Sequence, residues 1–146
     1  MKIPKPGAYI AIIAGWLLLA ALPQTVGAAE AAQSQKVVFQ VSDGDPKKWN
    51  LALNNAKNVQ QALGKGNVAI EIVAYGPGIG MVKLDSEVGS RIGEAVGEGV
   101  HIVACENTMK GQKLVRADML PMIDYVQTGV VELMQKQREG WAYIRP

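Results

Sequence analysis

The stretch His101-Ile102-Val103-Ala104-Cys105-Glu106-Asn107-Thr108 reads as an apolar strand that breaks into a polar helix start, and it holds the only cysteine of the 146-residue chain. The same alternation extends on both sides of it. Upstream, Lys36 to Val41 is a compact apolar run closed by Ser42-Asp43-Gly44-Asp45-Pro46, as expected of a buried strand ending in a turn. Asp45 is placed to cap a helix, with Pro46 at its first position and Gly64 just past its end. Trp49, Leu53, Ala56, Val59 and Leu63 recur there at helical spacing, while Asn50, Asn54 and Asn58 form a polar stripe that reads as solvated surface. A second strand, Val68 to Tyr75, runs into Gly76-Pro77-Gly78-Ile79-Gly80. Val88, Ile92 and Val96 mark another helix, on which Gly89, Gly93 and Gly97 fall four apart; either a smooth face for close backbone approach or an irregular helix follows. The third strand is Val100 to Ala104.

Downstream, the apolar run Met119 to Ile123 is interrupted by Pro121. A short strand at Asp124 to Gln127, a helix from Val130 to Arg138 capped by Thr128, and a last strand at Trp141 to Arg145 complete the pattern. Strands alternating with helices imply an α/β domain whose mostly parallel sheet, here of about five strands, is covered on both faces. In such sheets the loops at the carboxyl ends of the strands form the site. By that rule Asp43 and Asp45, the Gly76 to Gly80 loop, and Cys105 with Asn107 and Thr108 share one edge.

The amino-terminal segment follows a different logic. Lys2 and Lys5 precede an apolar stretch from Ala8 to Leu22, then Pro23 and the small-residue run Val26-Gly27-Ala28-Ala29. This is the order of a secretory signal peptide over residues 1–28, followed by a polar linker at 29–35 and the α/β domain at 36–146. The alternative, an uncleaved anchor, needs about 20 apolar residues and the run is shorter. A periplasmic location follows, with no membrane association once the leader is removed. Without Lys2 and Lys5 the formal charge falls from +2 to zero, and no Lys/Arg cluster remains to suggest a nucleic-acid partner.

With one cysteine no intrachain disulfide is possible, so in an exported protein Cys105 is buried and inert, paired between chains, or chemically active. A helix amino terminus offers unpaired N–H groups and partial positive charge, which favour a thiolate. Asn107 and Thr108 are placed to supply donors beside Cys105, with Lys110 adding positive charge. Glu106 acts in the opposite direction if it points inward. His101, the only histidine, lies four residues earlier on the same strand face, about 13 Å away by the rise of a strand, and reads as a core or interface residue rather than a catalytic partner. The Gly76 to Gly80 loop lacks the spacing and lysine of a nucleotide cradle and reads as a flexible rim that can admit a small anion.

The ordered set Gln40-Val41-Ser42-Asp43 with Asp45-Pro46, Ile72-Val73-Ala74-Tyr75-Gly76-Pro77-Gly78, Gly99 to Met109, Gly129-Val130-Val131-Glu132-Leu133 and Gly140 to Pro146 resembles the exported branch of the DsrE/DsrF-like proteins. The resemblance implies a three-layer α/β/α domain that assembles into trimers or hexamers, in a family whose best-understood members relay sulfur. It implies that Cys105 matches the cysteine of that branch, in its Ala-Cys-x-Asn-Thr context. It is compatible with a sulfur carrier or sulfurtransferase-like protein and leaves open whether the chain turns over as an enzyme or only carries the group. The reading places Cys105 as the acceptor of sulfane sulfur, with Asn107, Thr108, Asp43, Gly76 and Gly78 as binding residues and a donor or acceptor protein as partner. A persulfide carrier needs a thiolate, an approach path and donors, and no metal or organic cofactor.

Two other classes compete with it. Met81, Met109, Met119 and Met122 with Cys105 and His101 are soft ligand types suited to Cu(I), although their spacing matches no metal motif and methionine commonly fills cores. A non-catalytic oligomeric binding module would leave Cys105 structural. Trp49, Trp141 and Tyr143 would then be interface anchors, or else core filling.

Overall fold

The computed structural model describes Lys2 and residues 35–146. The leader expected over residues 1–28 and the linker up to residue 34 lie outside the described residues. Gln35, assigned to that linker, already belongs to the first strand.

The domain runs β1 (Gln35–Val41), α1 (Pro46–Leu63), β2 (Val68–Ala74), a 3-10 segment (Gly76–Val82), α2 (Gly89–Gly97), β3 (His101–Cys105), α3 (Glu106–Gly111), β4 (Asp124–Val126), α4 (Gly129–Arg138) and β5 (Ala142–Ile144), with short 3-10 turns at Lys65–Asn67 and Arg116–Asp118. The strands form one five-stranded sheet in the order β4-β3-β2-β1-β5, and every pairing is parallel. This is the α/β sandwich that the alternating pattern implies. The capping residues act where the sequence places them: the Asp45 side chain accepts from the Lys47 N–H, Pro46 opens α1, and Gly64 closes it at φ +87°.

Strand order fixes which face each helix covers. The connections β1 to β2, β2 to β3 and β3 to β4 all step in one direction across the sheet, so right-handed crossovers put α1, α2 and α3 on one side. The last connection carries the chain back past β1 to β5, and the same handedness puts α4 on the opposite side. Period-two alternation of the strands serves both layers. Phe39, Ile72 and Ile102 face the larger core, packed with Ile79, Met81 and Ile92, whereas Val38, Val73 and Val103 face a smaller cluster closed by Leu133 of α4.

Three surface expectations are corrected by packing. Asn50 and Asn54 are not simply solvated: their side-chain oxygens both accept from the Arg91 guanidinium, which ties α1 to α2, while Asn58 is exposed. Within the chain the glycine row of α2 makes no close backbone approach to the sheet, since a Cβ on Gly89 or Gly93 would meet side chains at ordinary contact distance and one on Gly97 would meet nothing. The glycine loop is not a flexible rim. It winds into a 3-10 segment with Gly78, Ile79, Met81 and Val82 buried.

Gly78 shows why that segment needs glycine, because an added Cβ would stand 2.2 Å from the Val41 carbonyl oxygen. The obstacle is backbone and cannot swing aside. Gly78→Ala is therefore expected to cost about 3 kcal/mol or more in a urea unfolding experiment, by overpacking against the end of β1. Gly97→Ala, facing open space, is expected to be neutral or stabilising by up to about 1 kcal/mol. Equal effects of the two substitutions would contradict this packing.

Candidate functional site

Adjacent strands whose carboxyl-end connections leave toward opposite faces create a crevice at the sheet edge. Here those strands are β3, which turns into α3 beside the larger core, and β4, which turns into α4 on the other face. Cys105 is the last residue of β3 and pairs in register with Val126, the last of β4. The thiol therefore sits at the switch point of the fold, on the strand face that α4 covers.

Cys105 also occupies the N-cap of α3, with extended backbone, and its sulfur accepts the Thr108 N–H at 3.4 Å. A capping side chain ordinarily offers an oxygen to these orphan donors; here sulfur takes that role. Thr108 is fixed from the other side, since Gly76, in a left-handed turn at φ +53°, donates its N–H to Thr108 Oγ1 at 3.0 Å. With its oxygen engaged as an acceptor, the hydroxyl hydrogen is free for the sulfur. Gln112 Nε2 donates to the Gly76 carbonyl at 3.3 Å and holds the same turn.

The second helix start contributes as well. Thr128 sits at the N-cap of α4 but makes no side-chain cap bond, and its hydroxyl oxygen accepts from Asn107 Nδ2 at 2.9 Å. The Asn107–Thr128 bond brings the start of α4, Gly129 first, to the Cys105 side of the sheet, where its N–H favours the ionised sulfur. Gly129 can come so close to the sheet because it lacks a side chain: a Cβ would stand 3.1 Å from Tyr75 Cβ and 3.2 Å from Val73 Cγ1. Asn107 stitches the two helix starts together, donating its backbone N–H to the Gln127 carbonyl at 3.1 Å and accepting from Gln127 Nε2 at 3.0 Å.

These contacts decide the charge on sulfur. Burial pushes the Cys105 thiol up, but the Thr108 hydroxyl and then the backbone dipoles at the two helix starts, the Thr108 N–H hydrogen-bonded to the sulfur among them, more than offset it, so the thiol lies below its ordinary value. Glu106, the opposing group in the sequence, is turned away to Arg116 at 2.7 Å, and Arg116 in turn stacks on Tyr125. Lys110 is exposed, and Cys105 itself is 4% exposed. A shallow groove lined by Val126, Gln127, Thr128 and Val131 follows the β4–α4 junction, and Cys105 is not part of its lining.

The remaining residues singled out in the sequence are distributed along the edge. Asp43 follows β1, two strands from Cys105, and pairs with Arg145 at 3.4 Å while its carbonyl accepts from the Trp49 indole at 2.7 Å. Gly76 reaches the site through Thr108, whereas Gly78 packs on β1. His101 lies at the far end of β3 between Glu71 and Asp124, each at 2.8 Å, and is half exposed. Met81, Met109 and Met119 fill the larger core on the opposite face of the sheet from Cys105, and Met122 is exposed, so the soft ligand types are not gathered at the thiol. Trp49 is core, Trp141 is partly buried and Tyr143 is exposed. Among the described residues no helix is long and apolar enough to cross a membrane.

Sequence reasoning missed that the start of α4 is tied to that of α3 beside Cys105, and overlooked Glu71 and Lys136 altogether. Glu71 carried a readable signal, as the one charge inside the apolar strand Val68 to Ala74.

The fold and this edge place the chain in a class of small parallel α/β domains. No family model and no curated protein matches it. Among solved structures it is similar to MTH1491 of Methanobacterium thermoautotrophicum, a protein of unknown function, with 37% identity over 77% of this chain and 99% of that one and a TM-score of 0.73. The chain belongs to the same family as MTH1491. It also shares its fold with BT1422 of Bacteroides thetaiotaomicron, a conserved protein of unknown function, at 17% identity over 82% of this chain and 99% of that one, with a TM-score of 0.59.

The Thr108 hydroxyl is the strongest of the donors that lower the thiol, so Thr108→Val, which keeps the shape and removes the O–H, is expected to move Cys105 ionisation to higher pH. The pH profile of iodoacetamide alkylation reads this directly. An unchanged profile would assign the thiolate to the backbone donors alone.

Proposed function

We propose that this chain is an exported sulfur-binding or sulfur-relay protein that carries sulfane sulfur as a persulfide on Cys105. The observation that carries the reading is the place of the sulfur at the N-cap of α3, accepting the Thr108 N–H at the switch point of the sheet, where Asn107 ties the start of α4 to that of α3. The resemblance of the Ala104-Cys105-x-Asn107-Thr108 context to the DsrE/DsrF-like sulfur-relay proteins supports it. So does the leader-like pattern of residues 1–28, which supports a periplasmic location.

The chemistry asks little more of the chain. The Cys105 thiolate attacks the outer sulfur of thiosulfate, the S–S bond of the donor breaks, and sulfite leaves with the bonding pair; the product is Cys105–S–S⁻. No proton moves and the total charge is unchanged. The N–H groups that favour the thiolate also favour the persulfide anion, whose charge lies one sulfur further out. Delivery to an acceptor reverses the step, with the acceptor thiolate taking the outer sulfur and Cys105 leaving as the thiolate. A depressed thiol value makes Cys105 a better leaving group and raises the fraction present as the nucleophilic thiolate. Thr108, Asn107 and Gly76 hold the site, and Asp43 and Gly78 shape the same edge.

Homo-oligomerisation, as trimers or hexamers, belongs to the same proposal. The outer face of α4 supports it, since Val130, Val131 and Met134 are exposed together.

Intact mass after thiosulfate or polysulfide treatment tests the central role. Wild type is expected to gain about 32 Da per transferred sulfur, removable by a thiol reductant, whereas Cys105→Ala gains nothing. Adducts of equal size on both proteins would end the assignment.

A further inference from the structure

Glu71 lies in the middle of β2 with 1% of its surface exposed, the single charge in that strand. A buried carboxylate persists as an anion only when it is paired. Its Oε2 lies 2.8 Å from Nδ1 of His101, its register partner on β3, and 2.8 Å from Nζ of Lys136 on α4. His101 is held on its other side as well, where Nε2 lies 2.8 Å from Oδ2 of Asp124, the first residue of the edge strand β4. The imidazole thus bridges a buried carboxylate and an exposed one.

A carboxylate only accepts hydrogen bonds, so both contacts are made at once only when both ring nitrogens carry hydrogen, which is the imidazolium form. A neutral ring keeps one N–H and turns a lone pair toward the other carboxylate. The two carboxylates differ in what that costs them. Glu71 is sealed from water and needs its donor, whereas the Asp124 side chain is 73% exposed and water takes the place of the ring. Loss of the proton therefore leaves Glu71 paired and releases Asp124.

We propose that His101 is a proton-controlled latch on the edge strand β4: as the imidazolium it ties Asp124 to the buried Glu71 of β2, and as the neutral ring it lets the start of β4 go. Strand β4 suits such a device, because it is three residues long and has a sheet neighbour on one side only. Its far end is held without the histidine, since the Gln127 carbonyl accepts from the Asn107 N–H at 3.1 Å and Arg116 lies over the Tyr125 ring. Release is confined to the start of the strand. The inference goes beyond the sulfur-carrier reading and does not depend on it.

The charges around the ring set the direction of the switch. Glu71 of β2 and Asp124 of β4 face His101 directly, and behind Glu71 stands Lys136 of α4, itself 3.4 Å from Glu132. Burial disfavours the ring charge, but the hydrogen bonds to Glu71 and Asp124 and their negative charges outweigh it, so the His101 pKa is raised above its ordinary value. A raised group contributes its full stabilisation below its unfolded value, about pH 6.5, and loses it as pH rises through the folded value. The latch is closed in acid and opens as the folded ring titrates.

Solvent exchange of the hydrogen-bonded amides of the β3–β4 ladder, followed by NMR against pH in the full chain and corrected for the intrinsic base catalysis of exchange, tests the latch alongside the titration of the His101 ring. Wild type is expected to show exchange rising by about threefold or more, the scale of one exposed ion pair, centred on the pH at which the ring loses its proton. Asp124→Asn is expected to abolish that rise, because a carboxamide accepts from an Nε2–H or donates to a bare Nε2 and so stays paired with either form of the ring. The Asp124 side chain is exposed, so this substitution leaves the core untouched. No rise in wild type, a rise of equal size in Asp124→Asn, or a ring that titrates no higher than in the urea-unfolded chain overturns the proposal.

Discussion

One turn of topology governs this molecule: the last crossover runs against the direction of the three before it. Because crossovers keep one hand, the reversal sends α4 to the face opposite α1, α2 and α3. The ends of β3 and β4 are thereby left open to two diverging helix starts. Had β5 continued beyond β4, both helices would have left toward the same side and the sulfur would have met one set of orphan donors. The site is a consequence of strand order before it is a consequence of any residue.

What the residues add is a contest between desolvation and hydrogen bonding at one atom. A sulfur on a residue only 4% exposed is disfavoured as an anion, yet it accepts the Thr108 N–H of α3, and the Thr108 hydroxyl and the dipoles of both helix starts favour its charge. Each donor is available because something else has been satisfied first. Gly76 engages the Thr108 oxygen, Asn107 engages the Thr128 oxygen, and Arg116 draws Glu106 away. A thiol with these neighbours differs from an inert core cysteine in its hydrogen bonds more than in its burial.

Much of the architecture was legible because local signals agreed with the fold. The Asp45 cap, Pro46 and Gly64 delimit α1 with no knowledge of what it packs against, and the apolar runs of β1, β2 and β3 announce buried parallel strands. Cys105 was legible as a site for the same reason, since its strand–helix junction is a local pattern. The rest depends on contacts across long sequence separations. Nothing near Glu106 reveals that Arg116 folds back to it, nothing near Asn50 reveals Arg91, and the glycine at Gly78 owes its necessity to a carbonyl on β1. Glu71 is the instructive case. A lone carboxylate in an apolar strand signals a buried pair, but its partners His101 and Lys136 sit 30 residues or more away, and only the fold brings them to it.

The account stands or falls on the ionisation of a single side chain in the intact domain. Following the isotope-labelled Cβ resonance of Cys105 against pH, in the native chain and in the same chain unfolded in urea, measures it without a reagent or a substitution. Native titration at lower pH than in the unfolded chain is the predicted result. Titration at the same or higher pH would mean that burial outweighs the hydrogen bonds, and that the thiol is structural.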